Sequence, residues 1–177
     1  MTASMFQPGD LESLVTTGLR AEPGELYGWR CCRPDLRSRD GFRWPWPGGV
    51  ATQDGPADGA DCGVGLHLAK TWEGAASGGY GCHVALIVAY RSDDVLGDGA
   101  EKLRVRAARV LDVLDTPALI RAAKAVCADL SRANLSRADL YGANLSRANL
   151  SRANLSRATG RNDWDALVAR GAIRGAS

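Results

Sequence analysis

The feature that most constrains this chain is a run of six consecutive five-residue units over residues 128–157. Each unit has Ala first, Asp or Asn second and Leu third, in the order ADLSR, ANLSR, ADLYG, ANLSR, ANLSR, ANLSR. An α-helix rotates by about 500° over five residues, a net of about 140°, so its leucines would spiral around every side. A β-strand fails as well, because an odd period moves Leu from face to face. The pattern predicts a solenoid in which each unit forms one side of a coil, with Ala and Leu inside.

These units resemble the pentapeptide-repeat family. The resemblance implies a right-handed quadrilateral β-helix with four units in each coil, in which the central Leu and the Ala two residues before it fill the interior. The leucines predicted to lie inside are Leu130, Leu135, Leu140, Leu145, Leu150 and Leu155. Six units make only one and a half coils, whereas a solenoid needs about three repeating layers to bury its core. We therefore expect the repeats to dock on the preceding domain, on the C-terminal segment or on another copy of the chain.

Both ends of the repeat segment carry helix signals. Thr116 and Pro117 begin an amphipathic pattern that predicts a capping helix over residues 116–127. The five-residue pattern ends at Gly160, after which Asn162 or Asp163 is placed to cap a second short helix, Trp164 to Arg170. We expect this second helix to close the open end of the coil.

The sequence before the repeats predicts a mixture of short helices and strands. Apolar residues at helical spacing predict an N-terminal helix from Leu11 to Leu19. Predicted strands follow at 26–32, around Phe42 and Trp44, at 64–68, at 82–90 and at 102–114, with a loop at 48–59 and a short helix at 71–76. This order favours an antiparallel-rich α+β domain.

The predicted fold class is therefore an α+β N-terminal domain with a short C-terminal right-handed quadrilateral β-helix capped by helices. The predicted organisation is an N-terminal helix at 1–22, the α+β domain at 23–115, a capping helix at 116–127, the β-helix at 128–160 and a C-terminal capping segment at 161–177.

Charge and cysteine content narrow the environment and the partners. The formal net charge is only +2, which argues against a nucleic-acid partner. The longest apolar run, Val84 to Tyr90, is far shorter than the roughly 20 residues that span a bilayer, so no membrane association is expected. The N-terminal residues lack signal-peptide features, and five cysteines are an odd number, which predicts a cytoplasmic protein. All five are then expected to be free thiols, Cys31, Cys32, Cys62, Cys82 and Cys127.

Cysteines and histidines between residues 31 and 83 raise the question of a zinc site. Cys31 and Cys32 are neighbours in a predicted strand, as are Cys82 and His83, so only one of each pair could reach a common metal. No Cys-x-x-Cys spacing occurs in the chain. We therefore expect no metal site.

Residues 23–115 also show a second, weaker resemblance, to ADP-ribosyltransferase-like folds. It is carried by Gly63-Val64-Gly65-Leu66-His67-Leu68-Ala69, followed by Tyr80, the apolar strand at 82–90 and Glu101. The resemblance implies an NAD site in which His67 and Glu101 are catalytic and Arg30, Gly65 and Tyr80 bind the cofactor. The chain departs from the family in having no Ser-x-Glu or Glu-x-Glu pair.

Two functions remain open at this stage. The favoured hypothesis is a non-catalytic protein-interaction or scaffold protein that uses the short repeat solenoid, needs no cofactor and forms homo-oligomers through the open end of the coil. The alternative is a small ADP-ribosyltransferase-like enzyme that binds NAD or another nucleotide. It requires His67, Glu101 and a basic group such as Arg30 to face one cleft.

Overall fold

The computed structural model describes residues 10–38, 40–59, 62–70, 75, 84–115, 118, 135, 140, 145, 150–160, 164–169 and 171–173. This part of the chain is mostly one antiparallel β-sheet with few helices. The helices are α1 (Asp10–Leu14) and α2 (Trp164–Ala169), and a single 3₁₀ turn covers Ser92–Asp94. The strands are β1 (Glu25–Cys32), β2 (Val50–Thr52), β3 (Leu66–Ala69), β4 (Val84–Arg91), β5 (Val95–Asp98), β6 (Lys102–Val105) and β7 (Ala107–Asp115).

The seven strands form one sheet in the order β2-β7-β4-β1-β3-β6-β5, and each neighbouring pair is antiparallel. Strand β4 lies near the middle and pairs along its whole length with β1. Its sequence, VALIVAYR, is apolar on both faces, and six consecutive residues of it are buried. An uninterrupted apolar strand of this kind is stable only with other elements packed on both sides.

Each face of the sheet carries its own apolar cluster. Trp29, Ile87 and Leu111 belong to the first cluster, on the face that α1 covers with Leu11 and Leu14. The second cluster, on the other face, contains Leu68, Leu86, Val88, Leu103 and Val110 together with Leu36 and Trp44 from the segment after β1. Alternate residues of β4 therefore serve the two clusters, as strand geometry requires.

The first cluster also contains the buried residues of the repeat segment. Five of the predicted interior leucines are at most 1% exposed, namely Leu135, Leu140, Leu145, Leu150 and Leu155. They join Ala153, Ala158, Leu167 and Ala172 in the same contiguous cluster as the sheet residues. The sixth leucine, Leu130, lies outside the described residues.

A buried arginine attaches the long segment between β2 and β3 to the sheet. Arg104 of β6 is fully buried, and its guanidinium donates to the carbonyl oxygens of Val64 at 2.6 Å and Pro56 at 3.3 Å. It also forms an ion pair with Asp58. A buried charge needs this degree of pairing, because an unpaired one costs several kcal/mol.

Several predicted elements differ from those observed. The N-terminal helix ends at Leu14, because the backbone turns there and Thr16 donates from its N–H and its hydroxyl to the buried Asp112. The predicted strand at 102–114 is two strands, β6 and β7, since Arg106 leaves the ladder and donates its N–H to the Asp94 carbonyl at 2.7 Å. Phe42 and Trp44 lie in no strand, and near them only an isolated bridge joins Arg37 to Arg43.

Strands β2 and β5 were not predicted from the sequence. Two further predictions concern helices. The capping helix at 116–127 and the helix at 71–76 lie outside the described residues, apart from Ala118 and Ala75. Within the C-terminal capping segment, α2 occupies most of the predicted helix from Trp164 to Arg170.

The prediction that every cysteine is a free thiol is wrong for Cys31, which is disulfide-bonded. Cys32 and Cys62 are free, whereas Cys82 and Cys127 lie outside the described residues. Cys31 and Cys32 differ because adjacent strand residues face opposite sides, so Cys31 joins the first cluster and Cys32 the second. The odd cysteine count therefore gives no support to a reducing compartment.

Candidate functional site

The predicted catalytic histidine lies within the sheet. His67 of β3 is half-buried and pairs in register with Arg104 of β6. Its Nε2 donates to the Gly63 carbonyl oxygen at 2.9 Å. Burial, assisted by the nearby positive charge of Arg30, lowers the pKa of His67, so the ring is neutral at neutral pH.

The predicted acidic partner, Glu101, is exposed in the turn between β5 and β6. Its carbonyl oxygen accepts a hydrogen bond from the Lys70 N–H at 2.9 Å, which extends the β3–β6 ladder by one residue. Lys70 is three positions after His67, and strand residues alternate between faces. Glu101 therefore lies on the side of the ladder opposite His67, and the two do not meet in one cleft.

Of the predicted cofactor-binding residues, Arg30 lies beside the main chain of His67 and Gly65 lies two residues before it, and both have structural contacts there. Arg30 of β1 donates from Nη1 to the His67 carbonyl oxygen at 3.0 Å, so the guanidinium is engaged by the main chain of β3. Gly65 has φ of 135°, and a Cβ there would lie 2.9 Å from Leu96 Cδ1, which explains the glycine by close packing against β5. Tyr80 lies outside the described residues.

The described residues also bear on two other possibilities, a metal site and a membrane-spanning helix. No group of three or more His, Cys, Asp or Glu side chains comes together as a metal site in the described ranges. Nor does any helix in those ranges have the length and apolarity needed to cross a bilayer. The exposed thiol of Cys62 is in contact with Lys102, whose Nζ donates to it at 2.8 Å.

An open cavity of about 430 Å³, which was not predicted from the sequence, lies beside β2. We call it the β2 groove, and it is lined by Phe42, Arg43, Trp44, Pro45, Trp46, Val50, Ala51 and Thr52. Trp46 is 66% exposed and Val50 is 58% exposed. The run Trp44-Pro45-Trp46-Pro47 was the signal that could have indicated it, because two tryptophans among prolines rarely serve a strand interior.

Residues 150–160, at the end of the repeat segment, form two successive tight turns. Ala153 donates its N–H to the Leu150 carbonyl at 2.9 Å, and Ala158 does the same to Leu155 at 3.1 Å. The third residue of each turn, Arg152 or Arg157, has φ near 60°. These are features of type II turns, which need a positive φ at that position.

The second position of the unit also has a structural role. The side-chain Oδ1 of Asn154 accepts a hydrogen bond from the Ser156 N–H at 3.0 Å. Asn and Asp side chains commonly bind the backbone two residues ahead in turns. This explains why each of the six units at 128–157 has Asp or Asn in second place.

Backbone hydrogen bonds connect units that are far apart in sequence. Leu135 donates its N–H to the Asn154 carbonyl and Leu140 donates to Thr159, both at 2.9 Å and both at an offset of nineteen residues. In parallel pairing, the residue stacked on a donor is one beyond its acceptor, here twenty residues away. Stacked positions are therefore separated by four five-residue units.

The end of the repeat segment is partly covered by the residues after α2. Leu155 donates its N–H to the Ile173 carbonyl and Ile173 donates back to Ala153, each at 2.7 Å. Leu167 and Ala172 are buried beneath this pairing, whereas Val168 and Ile173 are 46% and 54% exposed.

With this geometry established, comparison with known proteins identifies the segment. Residues 122–159 match the family model of pentapeptide repeats, in eight copies. The match covers about a fifth of the chain, so it characterises this segment. No curated protein and no solved structure matches the chain. None of these comparisons supports the resemblance of residues 23–115 to ADP-ribosyltransferase-like folds.

The pentapeptide repeats are longer than the six units counted from the sequence. The matched range begins at residue 122, inside the capping helix predicted at 116–127. If four units make a coil, as the family resemblance implies, eight copies would make two coils where six would make one and a half. The additional copies have less regular sequences, such as AKAVC at 123–127, and lack the Leu that marks the six regular units.

Proposed function

We propose that this chain is a non-catalytic protein-interaction scaffold whose pentapeptide repeats form a short right-handed quadrilateral β-helix. The observation that carries this proposal is the shared core: the repeat leucines and one face of the sheet belong to a single apolar cluster. A solenoid of two coils is too short to bury its own interior, and packing against the sheet supplies the missing apolar contact.

The hydrogen bonds at nineteen-residue offset support the four-sided coil, since they repeat at Leu135 and at Leu140. The turns at Arg152 and Arg157 support a corner after each unit. In this arrangement the Ser and Arg positions face solvent, and Ser151, Arg152 and Arg157 are exposed. The scaffold would then present a rigid polar surface on its outer sides.

We further propose that two copies associate through the C-terminal end of the coil. Ile173 lies on the pairing segment that covers this end and Val168 lies in the preceding helix α2, and both expose about half of their surface. Exposed aliphatic residues at the end of a solenoid are what a second copy would cover, because terminal units otherwise carry a polar outer face.

Sedimentation equilibrium at low and high micromolar concentration tests this association. The wild type should sediment as a dimer at the higher concentration, and the double variant Val168→Glu, Ile173→Glu should remain a monomer. Leu26→Glu is the matched control, since Leu26 is also about half exposed but lies at the start of β1. A wild-type monomer throughout the range would refute the dimer, and equal weakening by Leu26→Glu would refute its location.

A further inference from the structure

The β2 groove lies away from the repeat segment and has the composition of a peptide-binding site. One wall is the segment 42–46 and the other is β2, the last strand in the described sheet order. The floor is rigid, because Trp44 is buried, its Nε1 donates to Ser38 Oγ at 2.8 Å and its ring packs edge-on against Phe42 at 5.7 Å.

The backbone of β2 has hydrogen-bonding groups that point into this groove. The Gly49 carbonyl oxygen accepts a hydrogen bond from the Val110 N–H, and the Gln53 N–H donates to the Arg106 carbonyl oxygen. The odd-numbered residues of β2 and its flanks therefore direct their main-chain groups toward β7. In an antiparallel ladder the intervening residues direct their N–H and C=O groups away from the partner. Val50 and Thr52 therefore present unpaired main-chain donors and acceptors at the sheet edge, within the part of the chain that the structure describes.

Apolar and charged side chains flank this edge. Trp46 and Val50 each expose more than half of their surface to solvent at the groove, where no described side chain covers them. Arg43 is the one charged residue among the lining side chains. It is bridged across a short hairpin to Arg37, whose guanidinium pairs with Asp35 at 3.4 Å, whereas Arg43 has no ion pair among the described residues.

The surrounding sequence strengthens this positive charge. Residues 30–46 contain five arginines and two aspartates, although the whole chain carries a net charge of only +2. A negatively charged partner that approaches the groove would therefore meet the exposed guanidinium of Arg43 beside the exposed ring of Trp46.

We propose that the β2 groove binds an extended acidic peptide segment of another protein, which adds to β2 as a further strand. Main-chain bonds to Val50 and Thr52 hold the peptide, an apolar side chain of the peptide packs on Trp46, and a carboxylate pairs with Arg43. Strand addition to an exposed sheet edge is an established mode of peptide recognition. This site is additional to the scaffold and dimer proposed above, and does not depend on either.

A randomised dodecapeptide display library, selected on the full-length protein, tests the proposal. The selected sequences should be acidic, with β-branched or aromatic residues at alternate positions. Synthetic copies of the best sequence should bind in calorimetry, with affinity that falls as salt is raised. A decathymidine oligonucleotide is run alongside, because a single strand could also use arginine and tryptophan.

Three variants locate the site. Trp46→Ser and Arg43→Glu should each weaken peptide binding at least tenfold, as expected for central anchor residues. Thr52→Pro removes an outward-facing N–H, which an edge strand can lose without unfolding, and should weaken binding to a similar extent. Leu26→Ser is the control for the loss of an exposed apolar side chain, and Arg33→Glu is the control for the change in charge. Both variants should bind the peptide as the wild type does.

The proposal is overturned if the library yields no acidic sequences, or if selected peptides bind Trp46→Ser and Thr52→Pro unchanged. Binding of the oligonucleotide alone, with loss in Trp46→Ser, would overturn it in favour of a nucleic-acid ligand. Thermal melts of each variant show that the fold is kept, and if Thr52→Pro unfolds, the two side-chain variants decide the outcome.

Discussion

The sheet and the repeat segment both bury apolar side chains, but they differ in which positions along the chain are buried. In β4 every residue from Ala85 to Tyr90 is buried, and alternate residues serve opposite clusters. In residues 150–160 of the repeats only one leucine and one alanine in each five residues are buried. The neighbours of β4 are β1 and β7, which lie far away in the sequence, whereas a repeat unit stacks on a near copy of itself. The sequence of one repeat unit therefore also predicts the sequence of the unit that packs on it. The sequence of β4 does not predict which strands will pair with it.

The largest expected effect tests whether these two regions share one core. Leu145 is 1% exposed, so Leu145→Asp would bury an unpaired carboxylate at a cost comparable to the stability of a whole domain. Because Leu145 and Ile87 belong to the same cluster, the sheet should unfold together with the repeats. Circular dichroism and tryptophan fluorescence should both report loss of structure, and Thr159→Asp, at an exposed position, should fold normally. A folded sheet in Leu145→Asp would separate the two regions.

The next effect belongs to the sheet alone. Asp58→Ala removes the carboxylate that pairs with the fully buried Arg104 and should lower the free energy of unfolding by about 1.5–3 kcal/mol. Asp54→Ala is the matched control, because the Asp54 side chain is 89% exposed and its pairing with Arg106 is screened by solvent. Urea denaturation measures both. Equal effects of the two variants would show that Arg104 is satisfied by main-chain carbonyls alone.

Acidification should also destabilise the sheet region selectively. Burial opposes ionisation of Glu25, but a hydrogen bond from the Glu22 N–H and the Arg109 guanidinium outweigh it and lower the pKa of Glu25 below its ordinary 4.5. The pKa of His67 is lowered from 6.5, mainly by burial. Both groups bind protons more tightly when unfolded, so each contributes stability at high pH that is lost as pH falls.

Unfolding midpoints in urea, measured from neutral to acidic pH, should therefore decline in two stages, first below pH 6.5 and then below pH 4.5. His67→Gln should flatten the first stage and Glu25→Gln the second. A first stage that is unchanged in His67→Gln would show that another group titrates there.

The smallest expected effect concerns the corners of the repeats. Arg157 has φ of 58°, a conformation that costs a non-glycine residue about 1–2 kcal/mol. Glycine avoids this cost but loses about 0.5–1 kcal/mol through its greater freedom when unfolded. Arg157→Gly should therefore be neutral or stabilising by up to about 1.5 kcal/mol, whereas Thr159→Gly, where φ is not positive, should destabilise. A clear loss of stability in Arg157→Gly would contradict the turn geometry.

How far the sequence predicted the fold follows from this same contrast. The spacing of leucines predicted burial at Leu135, Leu140, Leu145, Leu150 and Leu155. The prediction was possible because the position of a residue within the five-residue unit determines whether it is buried. Strands β1 and β4 were placed within two residues at each end, since β4 is a long apolar run and β1 alternates loosely between apolar and polar residues. The whole coil was predicted from the family resemblance and stays a proposal.

What could not be predicted depends on contacts between distant segments. Val50–Thr52 lies in a stretch rich in glycine and proline, and forms a strand only because β7 pairs with it. The break between β6 and β7 arises from the Arg106 bond to Asp94, which the alternation of Lys102 to Leu114 conceals. For the candidate site, the spacing of His67 and Glu101 along the chain gave no information about the face on which each would lie.

The nineteen-residue offset of the hydrogen bonds has a consequence for how this chain can change in length. In the proposed four-sided coil, duplicating one unit would turn Leu155 and Ile173 together by a quarter of a turn relative to the sheet, with which Leu167 and Ala172 share a core. Duplicating four units would return this end to the same side, one level higher. Growth of the repeat tract by gene duplication is thus expected to be tolerated in multiples of four units, and homologous tracts that keep this C-terminal cap should differ by multiples of twenty residues.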